Sequence, residues 1–108
     1  MSREARVVLS AAPDRATAWR IARTLVEEEH AACVNLVPGA RSVYRWEDAV
    51  VEADEFLLVI KTTAGAYPAL AARLEELHPY DVPEVIALEP GAVSAPYLAW
   101  LEGAVRPA

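Results

Sequence analysis

His78, Asp81 and Glu84 fall within one short stretch, set around Pro79-Tyr80 and Pro83. An imidazole with two carboxylates can hold a transition metal. The same residues also read as a structural corner, with His78 and Tyr80 sharing hydrogen bonds and Glu84 paired with an arginine or Lys61. The spacing favours the corner, because a metal site needs several converging ligands. Cys33 and His78 are the types required for a thiol nucleophile and its base. Cys33, however, stands between Ala32 and Val34 at an apolar strand start, where a thiol is buried and inert. Lys61 ends an apolar run and could bind an anion or serve as a strand-end charge. Tyr44 and Trp46 lie two residues apart and so share one strand face, a surface for a ligand or for a partner subunit. His30 reads as a helix-end residue. The sequence contains no phosphate loop, paired-cysteine zinc pattern or nucleophile elbow. No residue is assigned a catalytic role, and no enzymatic activity is expected.

The elements that position these residues follow from periodicity. Val7, Leu9 and Ala11 alternate in a strand over residues 6–12. Pro13 breaks it, and Asp14 caps a helix whose stripe is Ala18, Ile21, Ala22, Leu25 and Val26. A long hairpin follows, out over residues 33–46 and back over 50–62, with a bulge at Pro38-Gly39 and a turn at Glu47-Asp48-Ala49. Glu52, Asp54 and Glu55 make the near end of the returning strand polar, so that end should project. Thr62 or Thr63 is expected to cap a second helix, begun by Tyr67 and buried through Leu70, Leu74 and Leu77. His78-Pro79-Tyr80 stops it. A fourth strand is expected over residues 82–89, then a short helix capped by Ser94 and running through Leu98 and Leu101.

The chain of 108 residues carries a net charge of −6, which argues against a nucleic-acid partner. It has no apolar run of membrane-spanning length. A single cysteine excludes an internal disulfide and suits a reducing compartment, so the expected location is cytoplasmic. One domain over residues 1–108 is expected.

The order strand, helix, strand, strand, helix, strand predicts an α+β, ferredoxin-like βαββαβ sandwich with a C-terminal helix. Both main helices then cover one face of an antiparallel sheet. In the run Phe56-Leu57-Leu58-Val59-Ile60, Leu57 and Val59 face opposite to Phe56, Leu58 and Ile60. One set must point away from the helices, and a second copy of the chain is its simplest cover.

Several stretches together resemble one family: Ala11-Ala12-Pro13-Asp14, Ala31-Ala32-Cys33-Val34-Asn35 with Pro38-Gly39, Tyr44-Arg45-Trp46, Lys61-Thr62-Thr63 and His78-Pro79-Tyr80-Asp81-Val82-Pro83-Glu84. They resemble, in order and over nearly the whole chain, the CutA family of divalent-cation tolerance proteins. The resemblance implies a homotrimer similar to the PII signalling proteins, with hairpins joining sheets between subunits and bare faces meeting round a threefold axis. Tyr44, Trp46, Leu57 and Val59 are then interface residues. It also implies a role in the response to metal ions, with copper as the associated metal and no established reaction. Metal-binding members are described with a cysteine near the end of the first strand and two adjacent histidines before Pro-Tyr. Here Ser10 and Leu77 stand at two of those positions, leaving His78 as the remaining ligand and weak copper binding as the expectation. The alternative is a PII- or ACT-like small-molecule sensor with an interface pocket near Lys61, Tyr80 and Glu84.

Overall fold

The computed structural model describes residues 4–106. Its elements run β1 (Ala5–Ala12), α1 (Arg15–Glu27), β2 (Cys33–Trp46), β3 (Ala49–Thr63), α2 (Tyr67–Leu77), β4 (Ile86–Leu88) and α3 (Ala95–Ala104). The strands form one antiparallel sheet in the order β2-β3-β1-β4, the ferredoxin-like arrangement.

Asp14 starts α1 as expected: its carboxylate accepts the Thr17 amide at 2.8 Å. That bond and the Thr17 hydroxyl hold the carboxyl below its ordinary 3.8. Ala18, Ile21 and Leu25 then meet Val8, Leu58, Ile60, Leu70 and Leu74 in one core. At the far end of α1, Arg73 of α2 forks onto Glu28 with N–O distances of 2.8 and 3.0 Å. Together these contacts hold both main helices on one sheet face.

The other face carries Leu57 and Val59, both half-buried. Register places Ile86 and Leu88 beside Leu9 and Val7 on that face, and both remain exposed. Helix α3 packs against β3 and β1, burying Leu101 outside the main core.

In the hairpin, Val37 pairs with Leu57 and Ala40 with Glu55, so β2 holds one extra residue at the Pro38-Gly39 step. Gly39 takes φ +84, which a residue without Cβ adopts at little cost. The tip is tighter than expected. Ala49 pairs with Trp46, and only Glu47 and Asp48, both at positive φ, make the turn.

Four expectations need correction. The fourth strand spans three residues instead of eight; extended to residue 83 at the same register, it would oppose Ala12 with a proline that has no amide to donate. Val26 is exposed, because it sits at the outer side of the last turn of α1. Neither threonine caps α2. The N-cap is Ala66, without a side-chain bond, while the Thr63 hydroxyl accepts the Ala66 amide and the Thr62 hydroxyl donates to the His30 carbonyl. Glu55 does not project with Glu52 and Asp54: it is 8% exposed, since it lies on the same face as Leu57 and Tyr80 folds over it.

Candidate functional site

The corner after α2 is built by proline. Pro79 forces His78 out of the helix to φ −81, ψ 137, which turns its imidazole back toward the end of β1. There Nε2 lies 2.7 Å from the Ala11 carbonyl oxygen, and Nδ1 accepts the Tyr80 amide at 3.1 Å. An amide can only donate, so Nδ1 is bare and Nε2 carries the proton that bonds to Ala11, a tautomer assigned from its partners. His78 is thereby buried with both nitrogens engaged.

Tyr80 continues the corner. Its ring sits 4.7 Å from that of His78, and its hydroxyl donates to Glu55 Oε2 at 2.8 Å. Burial, then the bond to Glu55, push this phenol well above its ordinary 10.0, so it remains a donor at any physiological pH.

The corner faces the hairpin across two hollows. One, of about 370 Å³, lies between Tyr44 and Trp46 on β2 and the loop Pro79, Tyr80, Asp81 and Val82. The other, of about 350 Å³, shares Tyr44 and is also lined by Ala11, Ser42, Val43, Glu55 and Glu84.

Of the residues singled out in the sequence, Tyr44, Trp46, Tyr80, Asp81 and Glu84 are brought to these hollows. Lys61 is not. It donates to Asn35 Oδ1 and lies six residues from Glu55 along β3, roughly 20 Å at ~3.3 Å per residue. Within one chain it therefore does not meet Tyr80 or Glu84. Cys33 opposes Lys61 at that same end of the sheet, away from His78. His78, Asp81 and Glu84 do not converge either: the imidazole turns inward, whereas both carboxylates are exposed. Among the described residues no group of three or more His, Cys, Asp and Glu side chains could hold a metal.

The positions at which the resemblance places metal ligands are also closed. The Ser10 hydroxyl is fully buried on the helix-facing side of β1 with no hydrogen-bond partner. Leu77 packs against the core, and His78 has no nitrogen to spare. These residues do not fit a copper centre.

The sequence reading missed Glu55 as a site residue. The signal was the period of two, which places Glu55 in phase with Leu57 and Val59 and makes it a carboxylate on an otherwise apolar face.

Comparison with known proteins gives one consistent result. The family described as CutA1 divalent ion tolerance protein matches residues 6–104. The divalent-cation tolerance protein CutA of Thermus thermophilus is 52% identical over 95 residues, covering 88% of this chain and 92% of that one. The crystal structure of CutA1 from Oryza sativa superimposes with a TM-score of 0.94 at 39% identity, covering 100% of both chains. That of CutA from Xylella fastidiosa gives 0.93 at 39% identity, covering 95% of this chain and 99% of that one.

Proposed function

The chain belongs to the CutA1 divalent ion tolerance family, and on that premise we propose that it serves as a divalent-cation tolerance protein in the response to metal ions. It acts by binding, without a chemical step. The observation that carries this reading is the match of residues 6–104 to the family. Growth of a strain lacking the chain, across a series of divalent-metal concentrations, tests it. Restored tolerance on expression of the chain is the expected result, and sensitivity that never depends on the chain would sink the reading.

The working form is a homotrimer. Tyr44, Trp46, Ile86 and Leu88 are all exposed, with Leu57 and Val59 partly covered beside them on the same face. That supports association of copies through this surface. Copper is held weakly at most, and the engaged ring of His78 supports this. Calorimetric titration with Cu(II) should give no stoichiometric submicromolar site. Tight binding abolished by His78→Ala would show that the corner opens to accept metal.

A second reading, a small-molecule sensor, is favoured by the hollows between Tyr44, Trp46 and Tyr80. A thermal shift with one metabolite and none with copper would support it.

A further inference from the structure

On the helix-bearing face of the sheet a groove runs between α1 and the edge strand β2. Its larger part, of about 810 Å³, lies between Arg15 and Trp19 of α1 and Leu36, Pro38 and Phe56 of the sheet. A smaller part, of about 340 Å³, shares Trp19 and Leu36 and continues to Arg23 and Val34. Arg15, Trp19 and Arg23 recur every four residues and so lie along one side of the helix. Trp19 is 55% exposed, which leaves an indole open to water midway between two arginines.

The charge at the larger part is of one sign. No aspartate or glutamate lines it, and Arg15 has no hydrogen-bond or ion-pair partner among the described residues. The neighbouring Asp14 carboxylate is committed to the Thr17 amide. Arg23 meets Glu27 in an exposed pair one turn apart, of the kind that contributes little. An unpaired guanidinium beside an apolar bed complements an organic anion: its planar fork suits a carboxylate, and Trp19 and Phe56 offer rings to an aromatic body. An inorganic anion would leave that bed in water. From Arg15 to Arg23 the helix rises roughly 12 Å, the span of a small molecule and too short for a docked helix. Copies associate through Tyr44, Trp46, Leu57 and Val59, which lie on the opposite face of the sheet from Leu36 and Phe56. Association through that surface therefore does not wall the groove.

We propose that the groove between α1 and β2 binds a small aromatic carboxylate. Its carboxylate is forked by Arg15, and its ring lies on Trp19 beside Leu36 and Phe56. The inference goes beyond the metal-response role and does not use the hollows at the hairpin.

The test is calorimetric titration of the assembled full chain with phenylpropionate, and with phenylpropionamide as its neutral counterpart. Phenylpropionate should bind at one site per chain with a Kd near or below about 1 mM, the range of a ligand of its size. The amide should bind about 3- to 10-fold more weakly, as expected for an ion pair open to water on one side. Arg15→Gln removes the charge and should weaken the carboxylate by the same factor while leaving the amide unchanged. Trp19→Ala should weaken both probes about 10-fold through the lost ring contact. Arg15 and Trp19 are both exposed, and far-UV circular dichroism checks that the variants fold. The carboxylate–amide comparison on the parent chain needs no variant, so it carries the test if either one fails to fold. Equal affinity for the two probes would overturn the proposal, as would unchanged carboxylate affinity in folded Arg15→Gln. Absence of carboxylate binding to the assembled chain would overturn it as well. None of these failures touches the metal-response reading, which growth across metal concentrations tests separately.

Discussion

Two buried polar side chains, Ser10 and His78, are held in opposite ways. His78 is fully partnered and ties the end of α2 to the end of β1, so its loss removes a tertiary fastening. Ser10 is fully buried with an unpartnered hydroxyl. Removing a buried group that makes no hydrogen bond is neutral or stabilising, because the desolvation cost disappears with it. Ser10→Ala should therefore leave stability unchanged or raise it by up to ~1 kcal/mol. A urea titration decides this, and a loss beyond 1 kcal/mol would reveal a hidden partner.

At the scale of elements, most of the fold was legible because each helix and strand carries its own signal. Asp14, the α1 stripe, the bulge at Pro38-Gly39 and the stop at Pro79 are local effects of single residues. The cap of α1 also makes a prediction about pH. Thr17 depresses the Asp14 carboxyl below 3.8, so its charged form stabilises the folded chain above the unfolded value. That contribution is lost as pH falls through the folded value. Asn also caps helices but cannot titrate. The stability difference between the parent and Asp14→Asn should thus be constant near neutrality and shrink below pH 3.8. Thermal melts between neutrality and pH 2 check it; a difference independent of pH would mean that the charge contributes nothing. What the sequence hid was long-range. The burial of Glu55 depends on Tyr80, 25 residues away, and the shortness of β4 depends on which β1 residues it could meet. Local periodicity carries neither fact.

The molecule as a whole is elongated, 44 × 26 × 22 Å, with a radius of gyration of 14.2 Å. A globular chain of this length would measure about 13 Å. The excess comes from the hairpin, whose outer half has Trp46 43% and Val43 64% exposed. Association of three copies through this surface is the expected outcome. Light scattering should return about three times the 11.7 kDa chain mass, and Trp46→Ala should weaken assembly by about 2 kcal/mol or more. A stable monomer at micromolar concentration would remove the reason for the exposed aromatic face.

The extra residue at Gly39 makes the hairpin a device for keeping parity. Below it the odd-numbered residues Cys33, Asn35 and Val37 share the face of Leu57, and above it the even-numbered Ala40, Ser42, Tyr44 and Trp46 do. Because the bulge absorbs that residue, deleting Gly39 alone would leave Ala40 opposite Glu55 and both faces of the outer half as they are, whereas deleting Ser42 alone would bring Val43 and Arg45 to the side where the aromatic rings now stand. Deleting two residues, one from each strand of the tip, would shorten the arm and leave both faces as they are. The arm can therefore change length in matched steps or lose its bulge residue without inverting, whereas an unmatched change beyond the bulge exchanges its faces.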